Sequence, residues 1–193
     1  MAFNIESFKS RGLVLGGARP SLFEIIIKPP FSDPLFDEKH RFVIKASTIP
    51  PSIVDPIEVP YFGRKVRYAG DRVFANWAVT VMNDEDYAIR KGFERWHARV
   101  NSIVPNLMSS PGTTYKCDAE VIHYSKAGDP LQTYKFVGLF PTNVNQMPLD
   151  WDAINQIQQF DVEFAYDYWV PSGGTNVELG VETDFLVPQA ITR

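Results

Sequence analysis

The chain has 193 residues, 45% hydrophobic and 22% charged, with a formal net charge of -4. That length suits one well-buried domain and is short for two, and the acidic balance argues against a sequence-independent DNA binder, which needs clustered Lys and Arg, though not against a protein that DNA passes without sticking. A single cysteine excludes an intrachain disulfide framework, no apolar run nears the ~20 residues that span a bilayer, and the start Met1–Glu6 lacks the basic and apolar parts of a signal peptide, so a soluble protein made in a cytoplasm is the expectation.

Residues 1–18 show little pattern and read as an N-terminal arm, punctuated by Gly16-Gly17 and Arg19-Pro20. Ser21 to Lys28 carries Leu22, Phe23 and Ile25-Ile26-Ile27, a predicted strand. Residues 29–40, rich in proline and mixed charge, read as a surface loop, and Arg41 to Ala46 as a second strand. Residues 47–64 hold Pro50, Pro51, Pro56 and Pro60 beside Ile49, Ile53, Val54, Ile57, Val59, Tyr61 and Phe62. Proline lacks a backbone donor and keeps a segment out of a central strand. On the residues alone this is a long, stiff, apolar loop that either contacts a partner or folds over its own core.

Lys65 to Ala69 alternates charged and apolar residues, and Gly70-Asp71 reads as a turn. Trp77 to Met82 is an apolar strand. A helix is predicted over about 84–101, with Asn83 as N-cap and acids in the first turn. Its apolar face is Ile89, Phe93, Trp96 and Val100 at helical spacing. Residues 115–124 and 131–139 flank Gly128-Asp129-Pro130 as a hairpin. Residues 141–157 are turn-rich, and the last clean strand runs from Phe160 to Tyr168. There the large apolar residues hold the even positions, and Asp161, Glu163 and Asp167 the odd ones. Alternation gives one apolar and one acidic face, as in a sheet with one side in a core and one in water. Residues 171–193 read as an extension, either a late edge strand or an arm. The fold class predicted is mainly β (α+β): two packed antiparallel sheets in a sandwich or half-barrel with one flanking helix, in a single domain over 1–193.

Chemistry is sparse. His40, His97 and His123 fall on a loop, a helix and a strand without metal-ligand spacing. Cys117 lies on a predicted strand with no motif around it and reads as a buried, inert thiol. The acid pairs Asp150/Asp152 and Asp161/Glu163 have the spacing of an acid and a base on one strand face, though a solvated face is the commoner cause. No catalytic, cofactor or metal residue is assigned, and the expectation is a protein that is not an enzyme.

Several blocks together carry a family resemblance: Arg19-Pro20-Ser21-Leu22-Phe23-Glu24-Ile25, Lys45-Ala46-Ser47-Thr48-Ile49-Pro50, Gly63-Arg64-Lys65, Ala69-Gly70-Asp71-Arg72 and Trp77 to Asp84. Gly138-Leu139-Phe140-Pro141-Thr142-Asn143-Val144, Leu149-Asp150-Trp151-Asp152 and Asp167-Tyr168-Trp169 follow in order. Over roughly residues 19–169 the chain resembles the tail tube proteins of T-even-type contractile-tailed bacteriophages. It departs at both ends, since residues 29–40 look longer than usual and 171–193 extend past the usual stop.

The resemblance implies a structural subunit forming homo-hexameric rings. Their strands join into one inner barrel, and the rings stack helically into a hollow tube for DNA passage. Implied partners are the sheath, baseplate, tube-terminator and tape measure proteins, with transient DNA in the lumen, no membrane insertion, and residence in the phage tail. It implies that segment 47–64 is the long element reaching the adjacent ring. Ile49, Pro50, Ile53, Val54, Ile57, Tyr61, Arg64, Lys65, Asp71 and Arg72 are then the inter-ring contacts, and Asp161, Glu163 and Asp167 the candidate lumen-facing acids. Alternatives of the same fold are a tube–baseplate or tube–terminator junction protein, or the tube of a related contractile injection system.

Overall fold

In a computed structural model, residues 9–11, 13, 17–31, 34–108, 112 and 114–172 are described. The expected arm 1–18 falls largely outside these residues, as does the expected extension after Ser172. Nine strands and two helices lie among them: β1 (Phe23–Ile27), α1 (Pro34–Val43), β2 (Ile44–Ser47), β3 (Ser52–Tyr61), β4 (Arg64–Phe74), β5 (Trp77–Met82), α2 (Ala88–Val100), β6 (Cys117–Tyr124), β7 (Pro130–Val144), β8 (Gln159–Ala165) and β9 (Tyr168–Ser172). One sheet has strand order β1-β6-β7-β8-β5-β2 with β9 pairing β7, and β3-β4 form a second. By internal contacts the described residues form two compact units, one from 25–120 with 135–170, the other from those before 25, 121–134 and 171–172.

In the larger unit, β8 and β5 show how alternation becomes a core. Their antiparallel register sets Trp77 opposite Phe164, Val79 opposite Val162 and Val81 opposite Phe160. All six side chains are buried. Helix α2 closes this face with Ile89, Phe93 and Trp96. Phe93 lies edge-on to Phe164 at 5.9 Å, and Trp77 stacks on Phe136 at 4.4 Å. Each such side chain contributes about 1.5–3 kcal/mol by leaving water, so this one face holds the unit together. The opposite face, with Ala78, Thr80, Asp161 and Glu163, meets solvent.

Four sequence readings are corrected. Residues 34–43, read as loop and strand, form helix α1, and strand β2 begins only at Ile44. The helix is held by Phe36, fully buried and edge-on to Phe93 at 5.0 Å. Segment 47–64 is a strand rather than a loop over most of its length: β3 pairs with β4 from Ser52↔Phe74 to Tyr61↔Arg64. A two-stranded sheet has only edge strands, where proline is tolerated. Gly70-Asp71 is a bulge, not a turn, because two residues of β4 there oppose Asp55 alone. The chain reverses instead at Phe62-Gly63, with φ 44° and 78°, the pair of positive values of a two-residue hairpin turn. Finally, α2 starts at Ala88 without a side-chain cap. Asn83 is spent on Gln158, whose Oε1 accepts its Nδ2–H at 2.9 Å.

The smaller unit holds residues 121–134, and with them the turn of the predicted 115–139 hairpin, which falls where expected. The Ser125 N–H donates to the Asp129 carbonyl at 2.8 Å, and Gly128 takes φ 92°.

Candidate assembly surfaces

The β3–β4 register sorts its side chains by face. Ile53, Ile57, Val59, Tyr61, Val66, Tyr68 and Val73 share one face, with Arg64 at its tip. Val54, Glu58, Lys65, Arg67 and Arg72 occupy the other with Pro56 and Pro60. Those seven apolar side chains are between 41% and 65% exposed, and Phe62 at the turn is 91% exposed. A lone two-stranded sheet is marginal in water, and this one leaves on one face an apolar row that only Asp55, between Ile53 and Ile57, interrupts. On the charged face Glu58 accepts from both Lys65 and Arg67. Among the described residues Arg64, Asp71 and Arg72 have no ion-pair partner.

Of the other predicted contact residues, Ile49 and Pro50 precede the hairpin and Pro50 is buried. The sequence reading marked this segment as stiff and apolar but missed its pairing and two-faced order. That order depends on the bulge, which shifts β4 by one position relative to simple alternation.

The predicted acids separate. Asp161 and Glu163 stand on the solvent face of β8. Asp161 Oδ1 accepts the Thr80 hydroxyl at 2.7 Å, and Glu163 Oε1 the Asn145 amide at 3.4 Å. Asp161 lines an open groove of about 720 Å³ together with Thr80, Asn143, Asn145, Gln146 and Gln159. Asp167 lies past the end of β8, where its Oδ1 accepts from Lys116 Nζ at 2.7 Å and its side chain abuts Gly138. There Gly138 takes φ 71°, leaving room for the carboxylate that a side chain would fill.

Asp150, Asp152 and Cys117 have structural surroundings. Asp150 Oδ1 accepts the Asp152 N–H at 3.0 Å and shapes a local turn. Burial, then the Asp118 charge, pushes the Cys117 thiol well above its usual value, which keeps it a poor nucleophile. Among the described residues no three His, Cys, Asp or Glu are grouped to hold a metal ion, and no helix is long and apolar enough to cross a membrane.

An antiparallel sheet with one polar face, a covering helix and an apolar hairpin left in water defines a subunit built for assembly. A family model described as phage tail tube protein matches residues 18–172. The chain belongs to that family. It is 37% identical over 153 residues to tail tube protein gp19 of Enterobacteria phage T4, covering 79% of this chain and 90% of that one. It is 29% identical over 111 residues to the tail tube protein of Serratia phage KSP90, covering 57% and 62%. In solved structures, a chain of the anti-feeding prophage baseplate superposes with TM-score 0.64 at 12% identity, covering 83% of this chain and 98% of that one. A chain of the sheath-tube complex of an extracellular contractile injection system, PVC, in its extended state gives 0.60 at 13%, covering 89% and 99%. At such identity these show the fold alone; the sequence relatives decide for a tail tube protein over the junction alternatives. The chain is a structural component of a contractile phage tail.

Proposed function

We propose that six copies close into a ring, that rings stack into a hollow tube, and that the β3–β4 hairpin carries the contact from one ring to the next. The whole chain serves as one tube domain. The carrying observation is the apolar row of Ile53, Ile57, Val59, Tyr61, Val66, Tyr68 and Val73, on a sheet with no other layer on it among the described residues. Burying about half of seven such side chains gives several kcal/mol per hairpin, repeated around every ring. The prolines on the charged face limit the freedom lost on docking. The same reading turns the solvent face of β5 and β8 to the lumen, where Asp161 and Glu163 repel phosphates and let duplex DNA and the tape measure protein slide. Sheath, baseplate and terminator proteins are the partners outside and at the ends.

The test is Ile53→Asp combined with Ile57→Asp. Both side chains are exposed in the subunit, so the variant keeps its circular dichroism spectrum and forms no tubes in negative-stain images. Normal tubes would return the hairpin to a role within its own subunit.

A further inference from the structure

The hairpin needs a surface to land on, and the geometry points to loop 145–158 of another copy. Strand β5 has two ends. At its start Trp77 pairs with Phe164, and the hairpin leaves there through residues 75–76. At its other end Met82 pairs with Gln159, and loop 145–158 enters β8 there. The two features therefore leave opposite ends of one strand, which spans about 17 Å, and the ten-residue β3 carries the tip roughly 30 Å further along its own axis. A protruding element at one end and a receiving one at the other make a head-to-tail contact, which propagates instead of closing into a dimer.

The loop has a receptor's chemistry. Trp151 is 100% exposed, Leu149 82%, and Ile154 and Ile157 are exposed beside them. Asp150 and Asp152 lie among these residues, with no Lys or Arg between positions 145 and 158. The hairpin tip is the complement. Tyr61 and Phe62 pack edge-on at 4.6 Å, and next to them the unpaired Arg64 shares the apolar face. An Arg fork facing carboxylates, with aromatic rings on an exposed Trp, is the composition that dominates interface energies. The other exposed apolar loop, residues 101–108 with Ile103, Val104 and Leu107, has no charged residue and follows Arg95 and Arg99, so it offers Arg64 no partner.

We propose that Tyr61, Phe62 and Arg64 of one copy dock on Leu149, Asp150, Trp151 and Asp152 of a copy in the next ring. This rests on the hairpin being the inter-ring element. The test uses the full-length chain, with assembly read by pelleting and negative-stain microscopy against the parent. Asp150→Arg with Asp152→Arg, and separately Arg64→Glu, each lower the pelleted fraction roughly tenfold or more while circular dichroism stays unchanged. Combining the three changes restores pelleting to within about threefold of the parent. If the loop variant pellets like the parent while Arg64→Glu fails, the acceptor is wrong and the hairpin reading stands. If both pellet normally, both proposals fall. If truncation after Ser172 reproduces the Arg64→Glu defect and the loop variant does not, the acidic C-terminal segment is the acceptor and the proposal is overturned.

Discussion

The buried imidazole of His40 accepts the backbone N–H of Ile27 at 3.1 Å, through Nε2. Its Nδ1–H donates to the Phe36 carbonyl at 2.8 Å, and its ring stacks on Phe36. Lys28 donates its own N–H to Asp118 on β6. Consecutive N–H groups of a strand point to opposite sides, so the Ile27 donor faces away from β6, toward the sheet's open edge. His40 therefore ties helix α1 to that edge and satisfies a donor that no other described residue accepts from. Replacing His40 with Leu strands the Ile27 N–H and costs about 1–3 kcal/mol. His40→Gln, which keeps an acceptor, loses less. Urea unfolding of the three proteins gives the order, and equal midpoints for Leu and Gln would show that the ring acts by packing alone.

Gly92 reverses the usual expectation for a helix glycine. Gly to Ala in a helix interior ordinarily stabilises by roughly 0.5–1 kcal/mol. Here a Cβ on Gly92 would run into the ring of Phe36, which crosses α2 at that point. Gly92→Ala is expected to destabilise by about 1–3 kcal/mol through overpacking. Pairing it with Phe36→Leu recovers part of that loss, a coupling that thermal denaturation of the double-mutant cycle measures.

Helix α1 carries an ion-pair cluster. Lys39 Nζ donates to Asp84 at 2.8 Å and to Asp86 at 2.7 Å, in the turn between β5 and α2. Hydrogen bonding and then the charge of Lys39 hold the Asp86 carboxyl below its usual value, while Asp84 and Asp86 raise the Lys39 ammonium. A lowered carboxyl contributes stability that is full above the ordinary carboxylate range and is lost as pH falls through the lowered value. Lys39→Met should therefore lower Tm at neutral pH, with the gap to the parent closing near pH 2. A gap of constant size across that range would mean that Lys39 acts through its apolar stem.

These three sites show which parts of the fold are legible in the sequence. Periodicity placed β5, β8 and the core face of α2 because burial alone dictates them: Trp77, Val79 and Val81 alternate, and Ile89, Phe93 and Trp96 recur at helical spacing. Helix α1 was hidden, since Pro34 reads as a breaker although it is the first helical residue, where proline fits. His40 and Phe36 gain meaning only from Ile27, Gly92 and Phe93, which are distant in sequence. Asp167 looks like a third acid of β8 until the strand ends at Ala165 and Lys116 claims it. The hairpin was legible as a stiff apolar element but not as a two-faced one, because Gly70-Asp71 is a strong turn signal that long-range pairing overrides with a bulge.

The acids of β8 give the last prediction. Asp161 is exposed and Glu163 partly so, and their partners are a hydroxyl and an amide rather than cations. Asp161→Lys with Glu163→Lys should leave the fold intact, because the Val162, Phe160 and Phe164 side of the strand is untouched. If that face lines the lumen, the change places two cations per copy around the path of DNA, twelve in each six-membered ring. Each phosphate they neutralise adds about 0.9 to the slope of log affinity against log salt. Variant tubes should then retain duplex DNA at low salt and release it steeply as salt rises, whereas parent tubes retain none, and tails built from the variant should eject more slowly. Retention that is equal in the two, or external binding that a nuclease removes at once, would turn this face outward and leave the lumen to another surface.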